Sequence, residues 1–384
     1  MNTNDHAIIV GVKTYLHEDM NHLEGTHNDA MDFIEWLCSD DGGGFEGSVN
    51  DVDTSKSIFF IRDNYKAEEL ETLDAFDAKP SREEIKIAFD KLNRVAAKAR
   101  NYRKDYQLDD EDIKYYRDPE DGKRYYGKRL YLFFAGHGYN DEDVKRSISL
   151  LAANGDYNDL LSNSVDAFNC MEFYEKSGYF KEVILITDCC RIPKPTKFSS
   201  KILTPDPANP PRDVRAAWMI SCQDGQEARE KEFEGRYNGI FTKVLLESFR
   251  SAQTRQGTDY VSVMEISNYV KSNREKFLGE QRPTVHGNPE GMEMKIIVRS
   301  NDADGTFSVK FIFPGKWIGG KVTISDLGNS ELDSKTVQNA EETLKLPIGV
   351  FRLSLEKGNE TKKDLVEVVS PDHAMIDLTQ KWSN

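Results

Sequence analysis

Cysteine is scarce in this chain: Cys38, Cys170, Cys189, Cys190 and Cys222 are five among 384 residues, odd in number and without a C-x-x-C pair. Neither a disulfide framework nor a structural zinc site is indicated, so a thiol that matters here is a reactive one. Positive charge is also in deficit. Lys plus Arg number 51 against 66 Asp plus Glu, a net charge of −15 that repels phosphate backbones and anionic headgroups. Nucleic acid and membranes are therefore not expected as partners. No run approaches the roughly 18 uninterrupted apolar residues of a membrane span, and the opening MNTNDHAIIVGV lacks the basic stretch of a secretion signal. A cytoplasmic protein is expected. Internal repeats and low-complexity tracts are missing too.

Apolar matter is not in short supply. With 38% hydrophobic residues, 20 Phe and 16 Tyr, the chain has enough to fold despite 30% charged residues. Short β-branched or aromatic runs alternate with segments of helical period, which predicts an α/β domain with a mostly parallel sheet flanked by helices. Strands are expected at 7–12 (AIIVGV), 57–61 (SIFFI), 130–135 (LYLFFA), 183–187 (VILIT) and 216–222 (AAWMISC). Between the first two, Ala30, Phe33, Ile34 and Leu37 share one helix face, and a capping box Ser81-Arg-Glu-Glu84 opens a helix ending near Arg100. Further helices are expected at 241–249 and from a second capping box at Ser262.

Two stretches interrupt this pattern. Residues 101–129 are almost all charged or Tyr and read as a solvated insertion, and residues 192–213, with six prolines, read as a loop without regular structure. Beyond residue 300 the texture changes to short alternating strands punctuated by turn residues. The domains expected are therefore 1–300 and a small all-β, sandwich-like unit at 301–384.

The strongest chemical signal is a pair of strand ends. Residues 130–134 run into Ala135-Gly136-His137-Gly138, and residues 183–187 into Asp188-Cys189-Cys190-Arg191, 53 residues further on. Ligands of an open parallel sheet bind beyond the carboxyl ends of its strands, so a histidine and a cysteine would meet in one crevice. A thiol with a free pKa of roughly 8.5 needs such an imidazole to act as a nucleophile at neutral pH. Gly138, lacking a Cβ, can bring its N–H near a developing oxyanion, together with the N–H of the nucleophile.

On these residues the chain resembles the caspase-like cysteine peptidases, and the metacaspase and prokaryotic branch more than animal caspases. The resemblance runs over residues 5–298 and includes AIIVGVKTY, LEGTHNDAMDFIEWL, the GHG, the DCCR, SCQDGQEARE and GIFTKVL. It departs at Ala135, where metacaspases carry Ser, and at Ile192-Pro193, where a glycine often follows. It implies an endopeptidase acting on proteins or peptides through a thioester. His137 would be the acid and base, Cys190 rather than Cys189 the nucleophile, and Gly138 and Cys190 the oxyanion donors. Asp29 and Asp188 match two acidic residues of the family's S1 pocket, which implies cleavage after Arg, then Lys. Gln223, Asp224 and Glu227 either shape the same cleft or are plain loop residues. No cofactor is implied for the chemistry; calcium activation occurs among metacaspases, but no ligands can be assigned here. Lys194, Lys197, Lys201, Arg212 and Arg215 make the prolyl loop resemble an activation linker cut in a zymogen by an activating protease. The company of prokaryotic relatives implies a defence or stress pathway. The competing reading is an inert caspase-fold scaffold whose β-unit binds partners.

Overall fold

The computed structural model of the chain describes residues 5–17, 20–39, 42–100, 115–141, 147–156, 163–194, 201–204, 213–254, 260–298, 307–325, 331–346, 349–368 and 375–382. Two compact units are distinguished, Met1–Leu246 with Ser262–Ile297, and Glu247–Val261 with Val298–Asn384.

The first unit is built on a six-stranded sheet. Its strands are β1 (His6–Gly11), β2 (Ile58–Arg62), β3 (Gly127–Ala135), β4 (Phe180–Asp188), β5 (Arg215–Ile220) and β6 (Thr284–Gly287), in the order β6-β5-β4-β3-β1-β2. All neighbours are parallel except β6, which runs antiparallel along β5. Alternation along β3 divides the core between two faces. Leu130, Leu132 and Phe134 join Ile85, Phe89 and Leu92 of helix α2 (Arg82–Arg100), and Phe168, Met171 and Tyr174 of α3 (Ala167–Ser177). Tyr131 and Phe133 point the other way, where Phe33 of α1 (Thr26–Cys38) stacks on Phe133 at 5.0 Å and meets Tyr131 edge-on at 5.8 Å. Helices thus flank both faces of the sheet. The box at Ser81 forms as read: Glu84 accepts from the Ser81 N–H at 2.8 Å. Among the described residues no helix is long and apolar enough to cross a membrane.

Several sequence expectations are corrected. Residues 101–114 lie outside the described residues, but 115–129 are not a solvated insertion. Tyr116–Arg117 and Arg124–Tyr125 form a hairpin with Tyr125 and Asp118 buried, and Gly127–Arg129 already belong to the sheet. Opposite charges hold the polar groups that this stretch brings to the sheet: Arg129 pairs with Glu182 at 2.6 Å, and Lys181 with Asp121 at 2.9 Å, while Arg117, Glu120, Lys123 and Arg124 stay exposed. In the prolyl loop, Ile192–Lys194 form a strand parallel to Gly138–Asp141, and Leu203 is buried with its N–H held by Asn169. Residues 195–200 and 205–212 lie outside the described residues. Arg215, expected as a loop residue, opens β5 and pairs with Glu120 and Glu182. β6 escaped notice because TVHG carries no apolar alternation; as an edge strand it needs hydrogen bonds on one side only.

The second unit holds two antiparallel-rich sheets. One orders Glu341–Leu346, Phe307–Ile312 and Met375–Asp377; the other orders Glu331–Thr336, Lys321–Ser325, Gly349–Lys357 and Glu360–Val368. Val309, Phe311, Val322, Ile324, Leu353 and Leu355 make their shared core, with Trp317 buried among them.

Candidate active site

β3 and β4 lie side by side, and Ala135 is the register partner of Asp188, so the residues after each strand emerge together. The Gly136 N–H donates to the Asp188 carbonyl at 3.3 Å, and His137 and Cys190 follow. Both line one cavity of about 200 Å³, together with Leu23, Thr26, Asp29, Gly136, Asp188, Cys189, Glu227, Ala228, Arg229, Glu230 and Gly239.

His137 is held from the segment after β1. Its backbone N–H donates to the Tyr15 hydroxyl at 2.8 Å, the two rings lie 4.6 Å apart, and the hydroxyl donates onward to the Leu151 carbonyl at 3.2 Å. Its Nε2 is 2.8 Å from the carbonyl oxygen of Asn21. Burial lowers the imidazole pKa below its ordinary value. The Cys190 thiol donates to the Ala228 carbonyl at 3.7 Å, and burial raises its pKa. Imidazole and thiol are therefore both neutral at rest.

Cys189 is buried. Ser221, just past β5, accepts from the Cys189 N–H at 3.2 Å and donates to its carbonyl at 3.0 Å, fixing the strand end from which Cys190 projects. Gly138 opens the strand Gly138–Asp141 and packs so closely that a Cβ there would lie 2.9 Å from both the Cys189 Sγ and the Cys190 carbonyl. It is not among the residues lining the cavity.

In the same cavity two buried carboxylates converge on Gly239. Asp29, in the first turn of α1, accepts from the Gly239 N–H at 3.0 Å and from the Asn238 amide at 2.9 Å. Asp188 accepts from the Thr242 N–H at 3.1 Å and its hydroxyl at 2.7 Å. A Cβ on Gly239 would sit 2.2 Å from Asp188 Oδ2 and 2.8 Å from Asp29 Oδ2, so only glycine fits between them. Burial, and then the neighbouring Asp188 charge, push Asp29 well above the usual carboxylate range; burial takes Asp188 to about 6. β1 and β4 do not pair; β3 lies between them. The acids meet nonetheless, because α1 carries Asp29 back over the sheet.

Glu230 adds a third carboxylate. It accepts from the Gly25 N–H at 2.9 Å and the Glu24 N–H at 3.0 Å, capping the start of α1 where the helix dipole favours an anion. Of the loop residues left open, Glu227 lines the cavity, Asp224 pairs with Arg191 instead, and Gln223 donates its N–H to Gln226. Cys170 is buried and Cys38 half-buried. Sequence reasoning missed Tyr15, Asn21, Ala228 and Glu230. Asn21 and Ala228 act through backbone carbonyls and leave no side-chain signal; Tyr15 and Glu230 stand within motifs read only for resemblance. Among the described residues no group of three or more His, Cys, Asp or Glu is arranged to hold a metal ion.

Residues 114–290 match the family model described as the Caspase domain. Asp29 and the segment bearing Tyr15 and Asn21 precede the match. Among solved structures, caspase-1 from Spodoptera frugiperda is similar at 12% identity, covering 78% of this chain and 91% of that one with a TM-score of 0.40. A second, pro-sf-caspase-1, has 12% identity, 78% and 95% coverage and a TM-score of 0.36. None of the curated proteins compared with the chain matches it.

Proposed function

We propose that the protein is a cysteine endopeptidase that cleaves polypeptides after basic residues, Arg ahead of Lys. The observation that carries this reading is a single cavity lined by a thiol, an imidazole and the carboxylates of Asp29, Asp188 and Glu230. A guanidinium entering the cavity that Asp29, Asp188 and Glu230 line relieves the repulsion among these acids and offers a planar fork to carboxylate oxygens, which the point charge of Lys does less well.

The chemistry follows from the proton inventory. Nε2 of His137 donates to Asn21, so Nδ1 carries the lone pair and takes the Cys190 proton as sulfur attacks the scissile carbonyl. The N–H groups of Gly138 and Cys190 serve the oxyanion. His137 then returns the proton to the departing amine, leaving a thioester that water hydrolyses with His137 again as base. This acyl transfer requires no cofactor. Lys194, Lys197, Lys201 and Arg212 in the prolyl loop offer the same residue type for cleavage during activation.

The test is a peptidyl electrophile ending in Arg, matched with one ending in Asp. Labelling of Cys190 by the first only, together with cleavage of Arg reporters, is the expected result. Labelling by neither, with no cleavage of any reporter, would favour the scaffold reading.

A further inference from the structure

Both partners that fix His137 from outside its own strand come from one segment, and that segment is gripped by a single buried acid. After β1 the chain turns: the Lys13 N–H donates to Asp63 Oδ1 at 2.9 Å and the Thr14 N–H to Oδ2 at 3.1 Å. A third group, Nε2 of His27 in the first turn of α1, lies 2.8 Å from Oδ1. Asp63 is 3% exposed and stands directly after β2, so its backbone is fixed by the sheet. Burial pushes its carboxyl pKa up, but the hydrogen bonds from His27, Lys13 and Thr14 outweigh that and hold it below the usual range. The anion is thus the form the site is built around.

From this anchor the segment reaches the imidazole by short steps. Tyr15 is the residue next to Thr14; its N–H donates to His22 Nδ1 at 3.2 Å, and its hydroxyl receives the His137 N–H. On the return path the Leu23 N–H donates to the Lys13 carbonyl at 2.9 Å, and Thr26 donates its hydroxyl to the Val12 carbonyl at 3.1 Å. Asn21, two residues before Leu23, presents its carbonyl to His137 Nε2. Lys13 and Leu23 therefore pin the two arms together at one of the residues that Asp63 holds. Displacing the anchor shifts Tyr15 and Asn21 together, and with them the acceptor that decides which imidazole nitrogen holds the proton.

We propose that Asp63 is a positioning residue: by clamping Lys13, Thr14 and His27 it sets the place of Tyr15 and Asn21, and through them the Nε2-protonated tautomer of His137. A carboxylate suits this role because it accepts from several donors at once, whereas an asparagine offers one oxygen and a donor that opposes the N–H groups it meets. The inference rests on the peptidase reading only for its kinetic consequence. The tautomer belongs to the resting protein.

The experiment uses the full chain with ¹⁵N-labelled histidine, comparing wild type, Asp63→Asn and Asp63→Glu. In wild type the His137 signals, assigned by their loss in His137→Ala, should report a proton on Nε2. In Asp63→Asn they should move toward a mixture of tautomers, with kcat for an Arg reporter about 10- to 100-fold lower and KM changed by less than about threefold. Asp63→Glu, which keeps the anion but moves the anchor by one methylene, should give a signal between those of wild type and Asp63→Asn. If Asp63→Asn does not fold, Asp63→Glu decides alone, since its longer side chain must shift the anchor and with it part of the tautomer signal. An unchanged tautomer in a folded Asp63→Asn, or in Asp63→Glu if that is the only folded variant, overturns the proposal. A wild type with the tautomer as stated but no cleavage would count against the peptidase reading and leave the positioning role intact.

Discussion

Nε2 of His137 lies 2.8 Å from the carbonyl oxygen of Asn21. A carbonyl has no proton to give, so the nitrogen donates, and in the neutral ring the basic lone pair is on Nδ1. A backbone atom thereby does what a carboxylate does in other acid–base arrangements, without adding a charge that would raise the imidazole pKa. Burial keeps that pKa low and the base ready.

His137→Ala is expected to fold and to lose a rate factor of roughly 10² to 10⁴ or more, the usual worth of a placed acid–base group. Steady-state cleavage and a thermal melt check it together. A variant that unfolds would contradict the role, since the catalytic loss would then be one of structure.

Cys190→Ala is expected to abolish cleavage, while Cys189→Ala keeps most of it at a stability cost of about 1 kcal/mol for the small void left. Only the first thiol reaches past the strand end to Ala228; the other is buried against Gly138. Reversed activities would move the nucleophile by one residue.

The acidic pocket should titrate. Burial takes Asp188 to about 6 and holds Asp29 well above the usual carboxylate range, so as pH falls these two acids lose their charge and hold Arg less well. The ratio of cleavage after Arg to cleavage after Gln is expected to rise with pH through 6 and upward; the ratio cancels any titration of His137. Asp188→Asn should lower that ratio by about tenfold or more at pH 7.5. An unchanged ratio would exclude Asp188 from the pocket. Stability moves in the opposite sense. The folded-state pKa of Asp188 is raised above 3.8, so its contribution is present below that value and lost as pH climbs toward 6. Denaturation at pH 4 and pH 6.5 should reveal a smaller difference in Asp188→Asn than in wild type.

Gly239→Ala is expected to damage the same pocket sterically. Its Cβ would press on both carboxylates, at 2.2 and 2.8 Å, so the acids or the backbone at residue 239 must move. Overpacking of this kind costs about 1–3 kcal/mol. A higher KM for Arg reporters with a lowered melting temperature is the expected pair of results, and wild-type values for both would show that the site is slack.

Residues 301–384 contain no cysteine and, of the histidines, only His373, and their strands close on a core of their own. A chain ending near residue 300 is expected to stay soluble and to cleave small Arg reporters. A soluble truncation inactive toward every reporter would mean that the β-unit helps to build the active site.

Much of this was legible in the residues themselves. The unbroken apolar runs LYLFFA and VILIT specified buried parallel strands, because a strand covered on both faces must be apolar on both, and capping boxes at Ser81 and Ser262 fixed two helix starts through local hydrogen bonds. His137 and Cys190 were legible for the same reason: each immediately follows such a strand. What the sequence could not decide were relations between parts far apart in the chain. The order β4-β3-β1, the meeting of Asp29 and Asp188 over Gly239, and the cap that Glu230 places on α1 all join residues more than 150 positions apart or depend on which strand lies between two others. The Asn21 and Ala228 carbonyls were beyond reach for a simpler reason. Every residue carries that atom, and only the path of the folded backbone singles out the two that face the imidazole and the thiol.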